Sequence, residues 1–175
     1  MKAESRTEFS LDLEGLSRSI NNIMSWTYEG KRFTKKNFDR VTEEGYIGFV
    51  YEITEVSTGK KYIGQKSFFR KKILPVTKTR KRRKHTLVES DWKEYYSSSP
   101  AIMESVKNGN EKDYKREILM FGKSKGSLSY IETAIQFARD VLLRDDYYNQ
   151  VVNCRIHAKH LKDTESDLKI TNLME

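Results

Sequence analysis

GFVYEITEVSTGKKYIGQK, residues 48–66, is the stretch whose reading decides the fold. Gly48 to Val56 and Lys60 to Lys66 are each rich in β-branched and aromatic residues. Between them, Ser57-Thr58-Gly59 supplies a turn in which Gly59 takes positive φ at no steric cost. The pattern predicts a β-hairpin with one tyrosine on each strand, Tyr51 and Tyr62, and ten residues between the two. On its own that is two aromatic rings packing a sheet.

Downstream of the hairpin lies the strongest charge bias in the chain. Lys66 to Lys84 holds ten Lys or Arg residues and no acid. Pro75 and the mutual repulsion of these cations predict a loop or an extended excursion instead of a central strand. Ser99-Pro100 then opens a helix over about 100–108, closed by Gly109. Tyr114 to Phe121 reads as a third strand. A second helix, with Ser127 as its expected cap, presents Leu128, Ile131, Ile135, Ala138 and Leu142 on one face. A basic helix is expected over 150–162, then a tail over 163–175.

Upstream, Leu13, Leu16, Ile20 and Ile23 have the spacing of an amphipathic helix, and Trp26 to Gly45 reads as loop and turn. The expected organisation is a helical extension over 1–45, a domain over 46–162 and the tail. The fold class is α+β, a small three-stranded antiparallel sheet flanked by helices.

Across 175 residues, 33 Lys and Arg stand against 25 Asp and Glu, a net charge of +8 that points to a polyanion such as nucleic acid. No apolar run approaches the ~18 residues of a membrane span. Cys154 is the single cysteine, which excludes an intrachain disulfide and fits a reducing compartment. The expectation is an intracellular, cytoplasmic protein without a secretory leader or membrane partner.

Glu132 follows Ile131 at the edge of the apolar stripe, where a carboxylate can point into a groove and hold a hard cation such as Mg²⁺. The plainer alternative is a surface carboxylate complementing the helix dipole. Phosphodiester hydrolysis needs a base for water, a cation for the developing charge and a metal near the leaving oxygen. Tyrosine, arginine and a glutamate-bound metal supply those roles, with nearby cations favouring a phenolate.

Phe49-Val50-Tyr51 and Tyr62-Ile63-Gly64 resemble the two strand motifs of the GIY-YIG nuclease family, with Phe for the first Gly and Val for Ile. A basic segment, Glu132 in a later helix and Tyr148-Asn149 after it follow in the family's order, so the resemblance covers about 46–150. The elements VESDW and YYSSS are most similar to small bacteriophage proteins related to homing endonucleases, which implies action inside a bacterial host.

The resemblance implies a divalent-metal-dependent DNA endonuclease acting on double-stranded DNA, with Mg²⁺ or Mn²⁺ as cofactor. By it, Tyr62 is the general base and Tyr51 positions water or phosphate. Gly64 leaves room near the DNA, Glu132 is the one protein ligand of the metal, and Asn149 steadies the site. An arginine contacts the scissile phosphate in the family, on a helix with His or Tyr four residues on. Arg70, Arg80, Arg82 and Arg83 all lack that follower, and among the cations only Lys81 has it, in His85. Arg83 or Arg80 is preferred because each precedes VESDW, and Lys66, Arg70 and Arg82 are further nucleic-acid contacts. The alternative function is a non-catalytic nucleic-acid-binding module on the same fold. Monomer and homodimer stay open.

Overall fold

The structure, a computed structural model, describes residues 25–75, 78, 79 and 81–161. The helix expected before Ser25, the tail over 163–175 and Arg80 lie outside the described residues. Strands β1 (Trp26–Tyr28) and β2 (Lys31–Arg32) precede helix α1 (Lys35–Glu43). Then come β3 (Gly48–Glu55), β4 (Lys61–Ser67), β5 (Phe69–Leu74) and β6 (Lys84–Glu89). Helix α2 (Pro100–Lys107), strand β7 (Tyr114–Gly122) and helix α3 (Lys125–Ala138) complete the α+β fold.

The predicted hairpin is present. β3 and β4 pair antiparallel from Gly48–Ser67 to Thr54–Lys61, and Gly59 takes φ +75° in the turn. β7 pairs antiparallel with the other side of β3, giving the expected three strands. The sheet is wider than expected, with five strands in the order β2-β1-β7-β3-β4 and β1 running parallel to β7. The added strands are three and two residues long and turn at Glu29-Gly30, both at positive φ. Segments so short carry no readable alternation. The stretch 26–45 therefore joins the sheet through β1 and buries Trp26, Phe33 and Val41 in the main core.

The basic excursion is in part strand, outside the central sheet: Arg70, Lys71 and Lys72 lie in β5 and Lys84 in β6, while Lys78 and Lys81 to Arg83 lie in the connection between them. β5 and β6 form a separate antiparallel two-stranded ribbon from Phe69–Glu89 to Leu74–Lys84. Cations repel less when each side chain is solvated, so a ribbon open to water tolerates a bias that a sheet interior would not. Three local expectations shift as well. Ser124, not Ser127, caps α3; the two make a reciprocal capping box. Helix α3 stops at Ala138, so Leu142 lies beyond it and is exposed. Residues 151–157 have no regular structure, and only Ala158–His160 forms a 3₁₀ turn where a basic helix was expected.

A bulge between Val50 and Tyr51 sorts the two faces of the sheet. Val50 pairs with Met120 and Tyr51 with Ile118, leaving Leu119 without an opposite number. Phe49, Tyr51, Ile53, Ile118 and Phe121 thus share the face covered by α1, α2 and Trp92. Val50 and Ile63 face α3 through Leu128, Ile131 and Ile135. Phe49 fills the centre of the first core, its ring 4.9 Å from Trp26 and 5.2 Å from Phe68.

Candidate active site

β4 is the edge of the sheet, and its outer backbone groups need partners. The chain supplies them from residues 146–149. Lys61 N–H donates to the Asp146 carbonyl at 2.8 Å, and Tyr148 N–H donates to the Lys61 carbonyl at 2.7 Å. Asn149 then continues the ladder with its side chain, accepting from Ile63 N–H at 2.9 Å and donating to the Ile63 carbonyl at 2.8 Å. The buried Gln136 amide donates to the same carbonyl at 3.2 Å. Asn149 thus holds the backbone of Ile63, next to Tyr62, and Tyr148 donates its hydroxyl to Glu55 at 2.8 Å.

Beside this closed edge lies a groove of about 680 Å³, lined by Tyr62, Ser98, Glu132, Gln136, Tyr148 and Asn149 among others. β4 delivers Tyr62, α3 delivers Glu132, and the turn before α2 delivers Ser98, so three separate elements converge. Glu132 is half-buried among apolar neighbours on α3, and burial pushes its carboxyl up to about 7, against the weaker pull of the Gln65 amide. Gln136 also reaches it, at 3.4 Å. Tyr62 shares a 2.8 Å hydrogen bond with Ser98, but burial still holds its phenol above the ordinary value. The expected help from neighbouring cations is not seen there; apart from Lys66 on β4, the described basic residues of that stretch lie on the β5–β6 ribbon or in its connection.

Tyr51 is placed differently from the expectation. It is fully buried, and burial drives its phenol well above the usual range. Its ring lies 6.3 Å from Tyr62 and 6.0 Å from Tyr95, and the hydroxyl has no well-formed hydrogen bond among the described residues. It supports Tyr62 from inside the core, out of direct reach of water or phosphate. Gly64 is buried directly opposite it, and a Cβ there would fall 2.5 Å from the Tyr51 hydroxyl oxygen. The missing side chain makes room for a tyrosine, not for DNA backbone.

Among the described residues, none of the expected arginines lines the groove. Arg82 and Arg83 are exposed beside the free end of the ribbon, beyond about 17 Å of paired strand, at 3.3–3.4 Å per residue. Arg70 is exposed near its base and lines a second cleft. Lys66 lines the same second cleft, its Nζ 3.5 Å from the Tyr95 ring centroid and 2.8 Å from Asp91 Oδ1. Buried Arg116 fixes that corner by donating to the carbonyls of Lys93 and Tyr95 at 2.8 and 3.0 Å.

By sequence, Tyr95-Tyr96 and the three serines beside them read either as a phosphate contact or as a strand-to-helix connection with capping serines, and the contact of Ser98 with Tyr62 belongs to neither reading. Three serines precede Pro100 and only one can be the N-cap, which left two free for other work. Among the described residues no three His, Cys, Asp or Glu side chains cluster. Of the groove's side chains, the one that could hold a hard cation is the Glu132 carboxylate, half-buried and with no ion pair among the described residues. That fits one hard divalent ion which keeps several of its waters.

A family model described as "Putative endonuclease segE, GIY-YIG domain" matches residues 26–152. No curated protein and no solved structure matches the chain. The match begins at the first residue of β1 and ends just past Asn149, spanning the sheet and the groove together, and the chain belongs to the GIY-YIG nuclease family.

Proposed function

We propose that the chain is a metal-dependent endonuclease that hydrolyses phosphodiester bonds of double-stranded DNA in the Tyr62–Glu132 groove. The observation that carries this is the convergence of a phenol and a desolvated, uncompensated carboxyl, raised to about 7, in one open groove. Glu132 holds the divalent cation, Mg²⁺ or Mn²⁺, which when bound supplies charge neutralisation at the phosphate and the leaving oxygen.

Tyr62 is the base. As phenolate it takes a proton from water, the water oxygen bonds to phosphorus, and the P–O3′ bond breaks. A 5′-phosphate and a 3′-hydroxyl result, the leaving oxygen drawing its proton from solvent. Ser98 favours the phenolate by hydrogen bonding to it. Lys66 takes the role that the resemblance gave to an arginine, meeting the negative phosphate at the tyrosine corner. Asn149 and Gln136 keep Ile63, and with it Tyr62, in register.

Purified protein incubated with supercoiled plasmid and Mg²⁺ or Mn²⁺ tests the reading, beside Glu132→Ala and Tyr62→Phe. Metal-dependent nicking or cutting that both variants lose is expected. Cleavage that survives Glu132→Ala overturns this mechanism. One observation favours a second reading, a DNA-binding module that does not cut: burial holds the Tyr62 phenol above its ordinary value and so disfavours the phenolate. That reading predicts salt-dependent DNA binding and an intact plasmid at every metal concentration.

A further inference from the structure

The β5–β6 ribbon is absorbed by neither the core nor the groove. It pairs with no strand of the main sheet. Residues 69–88 carry nine Lys or Arg and no Asp or Glu. Lys71, Lys72, Arg83 and Lys84 are exposed and have no ion pair among the described residues. Register sets Lys71 opposite Leu87 and Ile73 opposite His85, so these four share one face. That face is apolar at its centre yet open to water, with Leu87 67% and Ile73 53% exposed.

A cation-studded ribbon with an uncovered apolar face calls for a partner that is polyanionic and also offers a surface for apolar contact. Duplex DNA does both, through its phosphates and through thymine methyl groups at the floor of the major groove. The dimensions agree. The major groove, about 12 Å wide, admits a two-stranded ribbon, and the paired length of about 17 Å spans roughly half a helical turn. The same face opens on a cleft of about 590 Å³ that also holds Lys66 and Lys125. Lys66 adjoins Tyr95, so the cleft leads from the ribbon to the tyrosine corner.

The geometry points to β5–β6 as an arm that lies in the major groove of duplex DNA, Lys71, Ile73, His85 and Leu87 turned to the base edges and the flanking cations to the phosphates. This rests on the reading of the chain as a DNA nuclease, but it is measured by binding alone. The full chain carrying Glu132→Gln is titrated, without divalent metal, against a labelled mixed-sequence duplex of about 30 base pairs. The expected results are a loss of at least tenfold in affinity for Leu87→Glu, and a salt slope shallower by ~2–3 for Lys71→Ala/Lys72→Ala/Lys84→Ala. Methyl green, a major-groove ligand, is expected to displace the protein, and netropsin, a minor-groove ligand, to leave it bound. All these positions are exposed, so an unchanged melting temperature verifies the fold. Unchanged affinity and slope in the variants overturn the proposal, as does displacement by netropsin alone or tighter arm-dependent binding to the single strand. A chain that binds through the arm and never cuts refutes the nuclease reading and leaves this one standing.

Discussion

Asn149 grips the backbone of Ile63 at both ends, accepting from its N–H and donating to its carbonyl with one side-chain amide. In effect a side chain supplies one rung of a β-ladder to the edge strand that carries Tyr62. Only an amide has a donor and an acceptor in that geometry.

Asn149→Ala is accordingly expected to lower stability by about 1–3 kcal/mol, because it strands the buried Ile63 N–H and leaves the Ile63 carbonyl with Gln136 alone. Asn149→Asp is expected to be at least as harmful, since a carboxylate oxygen then faces the Ile63 carbonyl. Urea denaturation of the three proteins checks this, and a loss in Asn149→Ala smaller than about 0.5 kcal/mol counts against the arrangement.

Gly64 and Tyr51 form a second coupled pair. Gly64→Ala sets a methyl 2.5 Å from the Tyr51 hydroxyl oxygen and 2.7 Å from its Cζ, so about 1–3 kcal/mol of destabilisation is expected. Tyr51→Phe alone is expected to be close to neutral, because the hydroxyl it removes has no well-formed hydrogen bond among the described residues. Combined, the two substitutions are expected to lose less stability than their separate effects summed, with relief only partial because Cζ remains. A double-mutant cycle measures the coupling, and strict additivity would mean that the rings have moved apart.

The hairpin was legible in the sequence because its signals are local, alternating β-branched residues around a glycine turn. Glu132 was legible too, since helical spacing alone puts it at the margin of an apolar stripe. Positions whose role depends on a distant neighbour were not. β1 exists because three residues meet β7 some ninety positions later, with Trp26 opposite Arg116. Ser98 matters because it meets Tyr62, and Gly64 because it faces Tyr51. Repulsion within the cationic run argues against a sheet interior and leaves a loop or an extended excursion; the solvated two-stranded ribbon and its connection are both of these. Pairing of β5 with β6 sets Arg82 and Arg83 beside the free end of the ribbon, and no spacing in the sequence specifies that pairing.

Glu132 is expected to tie stability to pH and, by its proposed role, to metal. Its carboxyl titrates near 7 in the fold and at 4.5 when free, so the protein is the less stable for its ionisation as pH rises from about 4.5 to 7. After allowance for partial exposure this amounts to about 1–2 kcal/mol. Glu132→Gln is therefore expected to melt higher than the parent at pH 8 and alike at pH 4. Mg²⁺ at pH 8 is expected to raise the parent's melting temperature and leave the variant's unmoved. Differential scanning fluorimetry over a pH and Mg²⁺ grid reads both, and equal metal responses would remove Glu132 from the metal site.

Cleavage is expected to rise with pH through about 7, as Glu132 ionises and holds its cation, and to go on rising as the Tyr62 phenolate gains population. Ser98→Ala removes the bond that favours that phenolate, so the alkaline limb is expected to move to higher pH and the rate at pH 8 to fall about fivefold, for a hydrogen bond worth ~1 kcal/mol. A pH–rate profile that keeps its alkaline limb in place in Ser98→Ala contradicts the role given to Tyr62.

The cation question is decided by comparing Lys66 with Arg83. Lys66 sits at the tyrosine corner, held by Asp91 and the Tyr95 ring, while Arg83 is exposed beside the free end of the ribbon. If Lys66 meets the scissile phosphate, Lys66→Met is expected to reduce kcat by about 10²–10³, the usual loss for one charge-stabilising donor, with little change in melting temperature. Arg83→Ala is expected to leave kcat within about threefold and to weaken DNA binding in a salt-dependent way. Single-turnover cleavage separates the two effects, because saturating protein removes the binding contribution and leaves the chemical step. The opposite pattern, with Arg83→Ala slow at saturation and Lys66→Met unaffected, would mean that the ribbon folds over the groove when DNA is bound and brings its own arginine to the phosphate.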